Sequence, residues 1–141
     1  MSISTFRIII GLVLIVHGIG HVMAFFPALN WASNESWHYR SWLLSGILSD
    51  TISRILVVVL FGAAGLGFIA AGLGVFGWLV PHDSWQGLAL ISAVISLVAL
   101  ALFWNAFVAI FPNKIGSIAV NALVLWGTLG TNALSEIFNK I

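Results

Sequence analysis

The chain has 141 residues, of which 61% are hydrophobic and 6% charged, with a formal net charge of +1. A soluble domain carries about 25% charged residues, so this composition excludes an ordinary water-facing exterior, and the lack of any basic run excludes nucleic acid as a partner. The absence of cysteine excludes disulfides, thiol redox chemistry, covalent c-type haem attachment and iron–sulfur ligation.

The first predicted element covers residues 5–27, an apolar run long enough to cross a bilayer core. Arg7 followed by an Ile/Leu/Val run also has the look of a signal peptide. The run continues through Phe26, however, and Val22-Met23-Ala24 is a poor cleavage site, so a retained anchor is expected. Pro27 ends this helix or lies in its last turn, because proline cannot donate to the ladder.

Residues 30–50 form the long polar stretch. Trp31, Trp37, Tyr39 and Trp42 suit the headgroup level, and a short half-buried helix over residues 36–48 is expected to lie along the surface. The second span covers residues 51–79, with Ser49 or Asp50 as its cap. Its middle is crowded with small residues, and Ala63/Gly67, Gly67/Ala71 and Ala70/Gly74 stand at the small-xxx-small spacing that lets helices approach closely in lipid. This span is therefore the expected packing spine. The third span covers residues 85–111 and the fourth residues 114–138, joined by tight turns at Pro81 and Pro112.

Short connections imply antiparallel neighbours. The predicted fold is all-α: a polytopic membrane protein, a four-helix up-down transmembrane bundle in one domain, with an interfacial helix between its first two spans. The lipid bilayer is its solvent and a prokaryotic cell membrane its expected location. Arg7 before the first span favours termini inside, although Arg40, Arg54 and Lys114 on the other side nearly balance the count.

His17 and His21 are one helical turn apart and share a face deep in the first span. Ionisable groups at that depth are expensive and mark candidate sites. Their expected partners are Ser92, Ser96 and Asn105 from the third span and the Asn121/Thr128/Asn132 stripe from the fourth, turned inward. Trp37 and Arg54 are further candidate ligand contacts, although tryptophan at this level also serves as an anchor and Arg54 can snorkel to headgroups. Four readings follow: interhelical hydrogen bonding alone, a pocket for a lipophilic or quinone-like molecule, metal ligation by His17 and His21 or haem held by His17 or His21 with a ligand from another subunit, and conduction of protons or solute. No embedded acid supports the last. So little chain lies outside the spans that a catalytic partner would be a separate protein, which suggests a homo-oligomer or an accessory subunit of a membrane complex.

The opening pattern Arg7-x3-Gly11-Leu12-x5-Gly18, with the helix count and the long first connection, resembles the DoxX-like family of small four-helix bacterial and archaeal membrane proteins. The resemblance implies a four-helix bundle and an association with quinone-linked redox or sulfur-oxidising systems, as in thiosulfate:quinone oxidoreductase small subunits.

Overall fold

A computed structural model describes residues 3–130. The first helix, α1, covers Ile3–Gly20, tightens into a 3-10 turn at His21–Ala24, and finishes as α2, Phe25–Ala28. The His21 side chain reaches back to the His17 carbonyl at 2.9 Å. This carbonyl, four residues back, is the one the His21 amide would take in an α-helix, so side chain and backbone compete for it where the helix tightens. Pro27 sits inside the last turn, as expected.

α3 runs over Asp50–Phe76. The Ser49 hydroxyl caps its start by accepting from the Ile52 amide at 3.3 Å. Gly77 ends it at φ 70, with its own amide returning to Gly74 and that of Trp78 to Leu73. This Schellman geometry needs the left-handed backbone that glycine adopts freely, which is why the helix stops short of residue 79. α4 covers Trp85–Leu102 and α5 covers Ile115–Leu125, followed by a π-helical turn at Trp126–Gly130. The remainder of the predicted 114–138 span, with Asn132, lies outside the described residues. Among the described residues three segments are long and apolar enough to cross a membrane: Ser4–Ala28, Asp50–Phe76 and His82–Leu102.

Two expectations fail, for one shared reason. The third helix stops at Leu102 rather than residue 111, and the segment between α2 and α3 contains no helix over residues 36–48. The Asn34 side chain accepts from the amides of Ser36 and Trp37, and Ser41 Oγ accepts from those of Leu43 and Leu44. Such local bonds offer the backbone an alternative to a helix. The connection then serves the end of α4. Ser41 Oγ donates to the Leu102 carbonyl (2.6 Å), Trp42 Nε1 to Ala101 (2.7 Å), Trp37 Nε1 to Ala106 (2.9 Å) and the His38 amide to Asn105 (2.9 Å). Carbonyls released where the backbone leaves the helix at Phe103 are thereby satisfied, as a low-dielectric surrounding demands.

α3 is the spine, and glycines decide how it packs. Gly65 and Gly72 face α1: a Cβ on Gly65 would lie 2.8 Å from the Gly18 carbonyl oxygen, and one on Gly72 would lie 2.7 Å from that of Gly11. Gly67 and Gly74 face α4, against Ser92 and Trp85. Each pair is separated by two turns, so one helix carries two bare seams for two antiparallel neighbours. Between them Phe61 and Phe68 are completely buried. The outward faces are apolar, with Leu12, Val16 and Ile19 on α1, Ile55, Val59 and Leu66 on α3, and Ile91, Val94 and Val98 on α4 all exposed. So much exposed apolar surface suits hydrocarbon rather than water.

Arg54 closes the entry of α3 onto α2. Its guanidinium donates to the carbonyls of Ala28 (2.8 Å) and Pro27 (3.4 Å) and to Asn30 Oδ1 (2.6 Å), and lies 3.8 Å above the Tyr39 ring. The last carbonyls of a helix have no partner of their own. Arg54→Met is therefore expected to lower stability by about 1–2 kcal/mol, read as a lower melting temperature in detergent; Arg54→Lys should recover only part, since a single ammonium lacks the planar fork.

Candidate functional site

Four side chains from three helices meet in the interior. His17 Nε2 lies 3.2 Å from Asn121 Oδ1, Asn121 Nδ2 lies 2.8 Å from Ser96 Oγ, Ser96 Oγ lies 2.9 Å from His21 Nε2, and His21 Nδ1 lies 2.9 Å from the His17 carbonyl oxygen. Asn121 and Ser96 are fully buried and His21 nearly so, while His17 is half-buried.

The direction of every bond follows from one atom. A carbonyl oxygen can only accept, so His21 Nδ1 carries the proton, and in a neutral ring Nε2 is then an acceptor. Ser96 must donate to it. The Ser96 oxygen in turn accepts from the Asn121 amide N–H, which leaves Asn121 Oδ1 as acceptor for a proton on His17 Nε2. The result is a closed circuit, each group donating once to the next. Aromatic rings wall it in: Phe68 packs edge-on against His17 at 4.6 Å, and Phe61 and Phe107 flank His21.

The circuit uses both ring nitrogens of His21 and one of His17. Of the four ring nitrogens only His17 Nδ1 is left without a hydrogen-bond partner among the described residues, so the pair cannot chelate a metal unless the circuit opens. Nor is there, among the described residues, any group of three or more His, Cys, Asp or Glu side chains that could hold a metal ion. The donor set therefore does not fit a closed metal site built on both rings.

The other sequence candidates lie elsewhere. Ser92 Oγ donates to the Leu88 carbonyl on its own helix (2.7 Å), and Thr128 Oγ1 does the same toward Val124 (2.7 Å). Asn105 pairs with the His38 ring at 3.2 Å in the connection. Trp37 and Arg54 are committed to backbone carbonyls, as described above.

A cleft of about 480 Å³ opens beside the circuit, lined by α1 and by the start of α5. His17 and His21 form part of its wall, with Val13, Val16, Phe107 and Val120 among its apolar lining. Gly20 and Gly116 also line it, and a Cβ on either would meet nothing within 4 Å. One polar atom there is anomalous. Ser117 is 6% exposed, and its Oγ is fully buried with no hydrogen-bond partner among the described residues. Sequence reasoning missed this residue. The available signal was Asn113, Ser117 and Asn121 at a spacing of four, which puts three polar groups on one helical stripe.

No family model, curated protein or solved structure matches the chain.

Proposed function

We propose that this chain is an integral membrane protein whose fourth span continues from α5 to complete an up-and-down bundle, and that it binds a lipophilic or quinone-like small molecule in the cleft between α1 and α5. A DoxX-like affiliation belongs to the same proposal. The observation that carries the ligand reading is the cleft itself, an apolar space with His17 and His21 in its wall. A molecule with a polar head and an apolar body complements both parts of that wall. The cleft has the character of a small-molecule site: a mostly apolar wall, few polar groups, and a volume within the usual range of about 300–1,000 Å³.

Gly116→Leu tests this without disturbing the packing, because its side chain enters open space. Protein in nanodiscs is expected to retain a non-phospholipid lipophile on mass spectrometry, and Gly116→Leu to lose it at an unchanged melting temperature. Recovery of host phospholipid alone from both proteins would sink the proposal.

The circuit supports a second, structural role. Its hydrogen bonds are complete without any ligand, and they tie α1, α4 and α5 together where glycine seams do not.

A further inference from the structure

Resting on the ligand reading above, we infer that the cleft selects a lipophile whose head carries an O–H group, over one that offers only carbonyl or ether oxygens. His17 lines the cleft, and its Nε2–H is committed to Asn121 Oδ1. The unspent polar atom of that ring is Nδ1, an acceptor. A head group that bonds to His17 without opening the circuit must therefore donate. Ser117 does not discriminate, because its Oγ is buried away from the cleft. The Asn113 amide at the cleft edge offers both roles. Selectivity thus falls on His17, whose free ring nitrogen has a fixed role, while both ring nitrogens of His21 are already spent. That role is fixed at a distance, by the His17 carbonyl that sets the tautomer of His21 and through it the direction of every later bond.

The test uses 2-naphthol and 2-methoxynaphthalene, which share a ring system and differ in the donor. The full chain is placed in phosphatidylcholine nanodiscs, with empty discs giving the partition background. 2-Naphthol is expected to bind about tenfold more tightly, the discrimination that one net hydrogen bond supplies. It should also move the unprotonated ring nitrogen of His17 in ¹⁵N spectra of histidine-labelled protein, which the ether should not. His17→Phe should erase the ratio. Because His17→Phe also opens the circuit, the nitrogen shift in the unaltered protein carries the test if that variant fails to fold. Equal affinity for the two probes, both lost in Gly116→Leu, would overturn the donor-head inference and leave the ligand site standing. Binding of neither probe above the empty-disc background would overturn both.

Discussion

Replacing Gly65 with leucine is expected to abolish the folded state, or to lower its stability by about 3 kcal/mol or more. Overpacking a core costs about 1–3 kcal/mol when side chains can shift. At Gly65 the first atom a Cβ meets is the Gly18 carbonyl oxygen at 2.8 Å, and the next is His21 Cβ at 3.1 Å. Neither is the far end of a flexible side chain. α1 and α3 must therefore separate along their length, and the dispersion contacts that hold helices together in lipid go with them. Displacing His21 would also strain its bonds to Ser96 and to the His17 carbonyl. Gly20→Leu is the matched control, since a Cβ there meets open space. Size-exclusion profiles and heat denaturation in detergent should show Gly65→Leu aggregated or strongly destabilised and Gly20→Leu near wild type. A stable, monodisperse Gly65→Leu would mean that the glycine seam does not hold the helices together.

Asn121→Ala is the second large effect, expected at about 2 kcal/mol. Interhelical hydrogen bonds in membrane proteins average only about 0.6 kcal/mol, because polar groups find other partners when the structure loosens. Asn121 differs in being completely buried and in using both ends of its amide. Its removal leaves the His17 Nε2–H without an acceptor and takes from Ser96 Oγ the donor it accepts from. A buried group left unsatisfied costs about 1–3 kcal/mol. Ser96→Ala should cost a similar amount, and the double variant should cost clearly less than the two single losses combined, since both break one circuit. Additive losses in denaturant titrations would show that the four groups do not act as a unit.

These residues also show what could be read in advance. The apolar spans were legible because length and hydropathy are properties of single segments. His17 with His21, and Asn121 with Ser96, were legible as polar groups that a greasy interior must pair off. Ser92 and Thr128 looked equivalent but were not, because a hydroxyl can return to a carbonyl of its own helix and then needs no neighbour. The helix expected over residues 36–48 was lost to the same kind of local bonding, at Asn34 and Ser41. The early end of α4 at Leu102 could not be read locally, since the groups that satisfy its carbonyls come from the connection between α2 and α3. The small-xxx-small pairs located the spine but not its seams. Gly65 and Gly72 were recognisable as the α1 face only once Gly18 and Gly11 lay against them.

The loop of bonds through His17, Asn121, Ser96 and His21 has an electrostatic consequence. Dipoles arranged head to tail along an open row add, as they do in a helix, and leave partial charges at the two ends. Here the row bites its own tail, so the contributions turn through all directions and largely cancel. The polar centre of this protein thus presents hydrogen-bonding atoms to its surroundings while adding little net dipole of its own.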